Sequence, residues 1–252
     1  MLSSFGLFML LAFTGAYFAF RSEYRRKAAE GLIRYPPQLM DTLLLWCGIF
    51  GFAGAVIFAK FEKPTLYYLF RYNGLNYYGA LIAGTLTYLY INKRCGIRPA
   101  IAVDIGSPGM MLAYAIGRVG CHVAGDGDWG IVNEKPLPAW LSWLPDWAWA
   151  YRYPHTSAPV YPTSIYEAAI CFLLFLGLWS LRRTLKKPGL LFAFFAILNG
   201  AERFLIEFIR INPRYSLGSW NLSQAQILAA GWIFTGLLTL AFIAKNPAPK
   251  YI

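Results

Sequence analysis

The sequence predicts an all-α integral membrane protein with seven transmembrane helices, its N-terminus outside and its C-terminus cytoplasmic. Three observations predict it. The 252 residues are 58% hydrophobic and only 14% charged, where ordinary soluble domains carry about 25% charged residues. The mean hydropathy is +0.44. The Lys and Arg residues, 23 in all, fall between long apolar runs and form no patch, so the net charge of +11 is not a nucleic-acid footprint. Too little polar surface remains to cover a soluble globule, which excludes secreted soluble, disordered and disulfide-scaffold chains. Residues 1–252 read as a single polytopic membrane domain.

A hydrocarbon core of ~30 Å needs about 20 residues of helix. Runs at 5–20, 39–59, 76–92, 100–119, 164–181, 188–209 and 222–244 supply seven such helices. The first run has no basic segment before it and no small-residue cleavage site after it, which predicts a retained helix and not a signal peptide. Orientation follows from the excess of Lys and Arg in short cytoplasmic loops. The clusters Arg21/Arg25/Arg26/Lys27/Arg34, Lys93/Arg94/Arg98, Arg182/Arg183/Lys186/Lys187 and Lys245/Lys250 alternate to one side, which holds 14 basic residues against seven opposite. The long segment at about 120–163, between the fourth and fifth runs, falls on the outer side. It carries Trp129, Trp140, Trp143, Trp147 and Trp149 among many prolines, the composition of an arm lying at the headgroup level.

Ionisable residues at membrane depth are costly unless paired or wetted, so each marks a functional hypothesis. The fourth run carries Asp104 near its inner start and Arg118 near its outer end, and the sixth carries Glu202, Arg203, Glu207 and Arg210 in its outer half. Arg203, Glu207 and Arg210 stand at i, i+4 and i+7, on one helix face. Tyr166 and Glu167 open the fifth run, and Asn76, Tyr77 and Tyr78 open the third, at the same outer level. Topology thus gathers Arg118, Arg203, Glu207, Arg210, Tyr78, Tyr166 and Glu167 at one depth. Guanidinium groups there suit a phosphate, because the planar fork makes bidentate bonds to phosphoryl oxygens. A phospholipid headgroup is the obvious ligand. The plain alternative is that Arg203 and Glu207 neutralise each other while Arg118 snorkels to the interface.

Glycines crowd the outer ends, with Gly74, Gly79 and Gly84 in the third run. Gly117, Gly120, Gly125, Gly127 and Gly130 lie around the turn out of the fourth, and small residues of this kind let helices or lipid approach closely. Gly125-Asp126-Gly127-Asp128 lacks the twelve-residue ligand spacing of a calcium loop, and Cys47, Cys95, Cys121 and Cys171 have no metal-ligand spacing; no metal or organic cofactor is expected. Cys121 and His122 are neighbours, but adjacent side chains seldom face each other. His122, one helical turn after Arg118, is the better proton-transfer candidate.

Gly117-Arg118-Val119-Gly120, followed by Asp126 and Trp129-Gly130, resembles the glycine-arginine signature of the bacterial prolipoprotein diacylglyceryl transferase family. Further similar stretches follow the family's layout: Asn76-Tyr77-Tyr78-Gly79 leading a glycine-rich helix, Pro162-Thr163-Ser164-Ile165-Tyr166-Glu167 against HPxQLYE, and Arg203-Phe204-Leu205-Ile206-Glu207-Phe208-Ile209-Arg210 against RFxxEFxR at every fixed position. Phe5-Gly6-Leu7 is similar to the first-helix YGL. The chain departs from the family by Tyr78 for a histidine, Cys121 for an asparagine, His122 for a phenylalanine, Tyr161 for a histidine and Phe5 for a tyrosine, the pattern of a divergent member.

The resemblance implies transfer of a diacylglyceryl group from phosphatidylglycerol to the lipobox cysteine of a prolipoprotein, in the bacterial inner membrane with the site toward the periplasmic leaflet. Its partners would be phosphatidylglycerol, the lipobox peptide and membrane lipids. It implies Arg118 and Arg203 as catalytic residues, with Tyr78 in the matching family position; His122 joins them on its own placement one turn after Arg118. The candidate substrate-binding residues are Glu207, Arg210, Tyr166, Glu167, Gly79, Gly117, Gly120, Cys121, Asp126, Gly130 and Asn199. Two further readings stand beside it: a related transferase with another phospholipid donor or acceptor, and a non-catalytic phospholipid-binding membrane protein.

Overall fold

The computed structural model describes residues 4–62, 76–125, 127–217 and 220–246; Asp126 and Gly74 lie outside them. Among the described residues seven α-helices follow the seven apolar runs in order: α1 (Ser4–Ala29), α2 (Leu39–Glu62), α3 (Tyr77–Arg94), α4 (Pro99–Ala124), α5 (Thr163–Leu181), α6 (Leu190–Ile206) and α7 (Gln224–Lys245). Five of them, α1, α2, α4, α5 and α7, are long and apolar enough to cross a membrane. The chain is a multi-helix membrane protein. Helix α6, at 17 residues, is shorter, and α3 carries Tyr77, Tyr78, Tyr88 and Tyr90 together with Asn92, Lys93 and Arg94.

Three local differences from the sequence reading have physical causes. Helix α1 continues to Ala29, past the expected end at 20, because Arg26 pairs along the helix with Glu23 at 2.7 Å and Glu30 at 2.6 Å. Helix α4 continues to Ala124, past the expected end at 119, so Gly120, Cys121 and His122 are helical together with Gly117. The turn starts only at Gly125, whose φ of 61° suits a residue without a side chain. Beyond α6 the helix tightens into a single 3₁₀ turn, Glu207–Ile209, and an antiparallel hairpin follows, β1 (Arg214–Leu217) against β2 (Trp220–Ser223). Ser223 then starts α7 with a reciprocal cap: its hydroxyl accepts from the Gln226 N–H at 3.1 Å while its own N–H donates to Gln226 Oε1 at 3.0 Å.

The chain forms two compact units, one of residues Ala19–Ile105 and one of Met1–Phe18 with Gly106–Ile252. In the first, α2 and α3 meet through glycines: a side chain on Gly54 or Gly79 would run into the backbone of the other. Asn76 caps α3, its side chain accepting from the Gly79 N–H at 2.9 Å. The same unit buries a neutral polar network. Tyr24 donates to Asn92 Oδ1 at 2.6 Å, the Tyr24 and Tyr88 hydroxyls are 3.0 Å apart, Tyr88 donates to the Ala102 carbonyl at 2.7 Å, and Asn92 Nδ2 donates to the Tyr88 carbonyl at 2.8 Å.

In the second unit, α4, α5 and α6 share a core of Met111, Ala115, Cys171, Leu178 and Leu191. Helices α6 and α7 pack at close range because Gly200 and Gly236 lack side chains: a Cβ on either would stand 2.8 Å from a carbonyl oxygen of the other helix, that of Ala229 or Ala193. The segment after α4 is held by backbone bridges, Gly130 with Arg210, and Val160 with both Val132 and Tyr151.

Candidate functional site

Three arginines from separate parts of the second unit converge on one carboxylate. Glu167, fully buried near the start of α5, takes Arg118 Nε at 2.5 Å on Oε2, and Arg203 Nη1 at 3.0 Å and Arg210 Nη1 at 2.7 Å on Oε1. Two further carboxylates close the cluster. Asp128 pairs with Arg118 Nη1 at 2.5 Å and with Arg210 Nη2; Glu207 faces Arg203 Nη2 at 3.1 Å and accepts from Asn212 Nδ2. Tyr114, one turn before Arg118 on α4, donates to Glu167 Oε2 at 3.1 Å and accepts from Arg118 Nη2 at 3.0 Å. Three guanidinium groups and three carboxylates thus balance in charge, which is what permits their burial.

Local backbone structure explains why these side chains meet. Arg203 and Glu207 stand one turn apart at the end of α6, so their pairing is built into the helix. The 3₁₀ turn and the extended backbone at Arg210 (φ −91°, ψ 155°) return Arg210 toward Glu167. Asp128 is delivered by a clamped loop. The Gly130 N–H donates to the Tyr161 carbonyl at 2.8 Å, the Ile131 N–H to the Ile209 carbonyl at 2.9 Å, and the Thr163 hydroxyl to the Asp128 carbonyl at 3.1 Å. Gly130 is required there, since a Cβ would lie 2.6 Å from Ile209 O and 2.9 Å from Thr163 Cγ2. Burial alone would push the Asp128 carboxyl up; Arg118 and Arg210 outweigh it, helped by a hydrogen bond from Cys121, and hold it below the ordinary carboxylate range.

Access differs among the arginines. The Arg210 side chain is 5% exposed, Arg118 15% and Arg203 21%. A guanidinium carries five N–H donors, and among the described residues Arg203 uses two and Arg118 three. Arg203 and Arg118 therefore keep donors for an anionic ligand while Arg210 ties the loop to the helices. Arg118 is held by Glu167, Asp128 and Tyr114.

His122 lies one turn beyond Arg118 on α4. Its Nδ1 is 2.6 Å from the Tyr153 hydroxyl, and its ring packs on Tyr151, Tyr153 and Trp147 with centroids 4.8, 5.4 and 6.5 Å away. The Tyr153 hydroxyl is 3.5 Å from Ser164 Oγ, one turn before Glu167. Tyr166 donates instead to the Ala148 carbonyl at 2.6 Å and ties the segment between α4 and α5 to the start of α5. Gly120 packs on Phe8, where a Cβ would stand 2.7 Å from Phe8 Cβ, whereas nothing lies within 4 Å of a Cβ on Gly117. Asn199 precedes Arg203 by one turn of α6. Tyr78 and Gly79 belong to the Ala19–Ile105 unit, at the start of α3.

The family model described as Prolipoprotein diacylglyceryl transferase matches residues 1–242. The chain belongs to the prolipoprotein diacylglyceryl transferase family. Its relatives include three proteins named phosphatidylglycerol–prolipoprotein diacylglyceryl transferase. That of Leptospira interrogans is 30% identical over 83% of this chain and 72% of its own length. That of Pseudomonas fluorescens is 27% identical over 97% and 89%, and that of Clostridium tetani 31% identical over 60% and 58%. Such identities fit a divergent member. Sequence reasoning missed three of this transferase-family chain's cluster residues. Tyr114 had a signal in its i, i+4 spacing to Arg118. Asp128 was visible only as part of a failed calcium pattern, and Asn212 had no signal.

Proposed function

We propose that this chain transfers a diacylglyceryl group from phosphatidylglycerol to the lipobox cysteine of a prolipoprotein, at the periplasmic leaflet of the bacterial inner membrane. The carrying observation is the convergence of Arg118, Arg203 and Arg210 on Glu167, with the first two still exposed at the cluster's edge. In the reaction the cysteine sulfur forms a bond to a glyceryl carbon, the carbon–oxygen bond to phosphate breaks, and glycerol phosphate leaves. Negative charge shifts onto the leaving phosphate, where donors already fixed by carboxylates act without reorganisation. Arg203 and Arg118 are the phosphate ligands in this reading, oriented by Glu207 and by Asp128 with Glu167.

The thiol proton must go to a base. His122 fits, since a tautomer donating Nδ1–H to Tyr153 leaves Nε2 as the acceptor; Tyr153 is then a positioning residue. Tyr78, standing where the family has histidine, is the second candidate.

The test is incubation of the purified protein with phosphatidylglycerol and a lipobox peptide, read by intact mass. The peptide gains a diacylglyceryl mass, and Arg118→Ala and Arg203→Ala lower the rate by about 10²-fold or more. A gain only with another phospholipid redirects the reading to a related transferase; bound lipid with no gain from any donor leaves a phospholipid-binding protein.

A further inference from the structure

Tyr114 touches both halves of the ion pair between Arg118 and Glu167. Its hydroxyl donates to Glu167 Oε2 at 3.1 Å and accepts from Arg118 Nη2 at 3.0 Å, while Arg118 Nε meets the same Oε2 at 2.5 Å. Nε–H and one Nη2–H form one edge of a guanidinium, so the carboxylate oxygen and the phenol oxygen fill that edge side by side. The guanidinium carbon also lies 4.8 Å from the centroid of the Tyr114 ring, within cation–π range. Asp128 holds Nη1. Three of the five donors are thereby fixed in direction, and the two that remain stand one on each terminal nitrogen. Among the described residues Arg203 and Arg210 are held differently, by carboxylates. A carboxylate attracts a guanidinium from many directions, and Glu167 Oε1 is already shared between two arginines. A hydroxyl adds a directional bond and leaves the cluster at three charges of each sign. A fourth carboxylate in its place would make the cluster negative and repel a phosphate.

We propose that Tyr114 is a positioning residue for the transfer: its hydroxyl sets the plane of the Arg118 guanidinium, so that the two remaining donors face the leaving phosphate. Tyr114 acts through Arg118 and touches no substrate. Stabilisation of a growing charge depends on donors fixed before the reaction, and a small misplacement of such a group slows the step more than it weakens binding. The ring has a separate task, since it packs on the core of Met111, Ala115, Cys171, Leu178 and Leu191; the hydroxyl alone carries the positioning. The inference rests on the transferase reading above for the phosphate.

Tyr114→Phe, which keeps the packed ring and removes only the hydroxyl, provides the test in the full-length protein. With phosphatidylglycerol and a lipobox peptide, kcat per folded molecule should fall about tenfold, less than the ~10²-fold of a full ångström's misplacement, while KM changes little. In the Arg118→Lys background, where the charge stays and the planar fork is gone, the same substitution should cost far less, because a residue that acts through Arg118 has lost its object. A second readout needs no turnover. In protein labelled with ¹⁵N-arginine, the Arg118 guanidinium N–H signals, assigned by their absence from Arg118→Lys, should exchange with water about tenfold faster in Tyr114→Phe, the weight of one hydrogen bond. Faster exchange with kcat unchanged, or equal losses of kcat in both backgrounds, would overturn the proposal and leave the transferase reading intact. A lower thermal midpoint with kcat per folded molecule unchanged would also overturn it and make Tyr114 a core residue. Faster exchange in a protein whose wild type modifies no peptide would support the hold on Arg118 and sink the transferase reading instead.

Discussion

Two regions of this chain bury polar side chains, and they do so differently. The Tyr24–Tyr88–Asn92 network of the Ala19–Ile105 unit is neutral, and each of its named hydroxyl and amide groups is spent on a partner. The Arg118–Arg203–Arg210 cluster of the other unit is ionic and leaves Arg203 and Arg118 partly exposed. Polarity inside a membrane protein is therefore not by itself the mark of a site. A closed network fixes helix register; an open one with spare donors can meet a ligand.

The largest effect that sharpens this contrast is expected at Glu167. Glu167→Gln removes the one charge shared by three arginines and leaves buried cations uncompensated, a loss on the scale of about 3–5 kcal/mol. The thermal midpoint in detergent should fall steeply and transfer should vanish with it. A folded Glu167→Gln protein of near wild-type stability would mean that Asp128 and Glu207 alone balance the cluster.

The neutral network should break more gently. Tyr24→Phe deletes the hydroxyl that reaches Asn92 and leaves that amide oxygen unsatisfied, at a cost of about 1–3 kcal/mol. Activity per folded molecule should not change. Lost activity at full stability would give this region a role in the reaction and remove the distinction drawn above.

Gly130→Ala tests the loop that delivers Asp128. The added Cβ meets a backbone oxygen and the Thr163 methyl, neither of which swings aside, and overpacking of this kind costs roughly 1–3 kcal/mol. Because the strain falls where Gly130 bridges Arg210, kcat should fall by more than the stability change explains. Equal losses in kcat and in folded fraction would make Gly130 a packing residue only.

The helices were legible in the sequence because a run of about 20 apolar residues has few alternatives in a bilayer. So was the Arg203–Glu207 pair, which is local to one helix. The carboxylate partners were not: Arg203 meets Glu167 across 36 residues and Arg210 meets Asp128 across 82, and no periodicity encodes such a pairing. Charge balance was the available signal, since three arginines at one depth require about as many acids. Close approach at small residues was legible too, and Gly120 serves it against Phe8. The hairpin after α6 has four-residue strands, too short for alternation to stand out.

The smallest effect, and the most specific, is the pH dependence carried by Asp128. Its native carboxyl titrates below the ordinary value because, against the pull of burial, Arg118 and Arg210 favour the charged form. The unfolded chain binds the proton more readily, near pH ~3.9. The ionic contribution is therefore fully present above that pH and is lost as pH falls through the lower native value. With the Asp128 side chain 30% exposed, solvent screening limits the contribution to about 1 kcal/mol. Thermal unfolding of wild type and Asp128→Asn should differ by a constant margin near neutral pH, and the two curves should converge only below pH ~4. A margin that persists unchanged into acid would assign Asp128 to hydrogen bonding alone and leave the arginines balanced by Glu167 and Glu207.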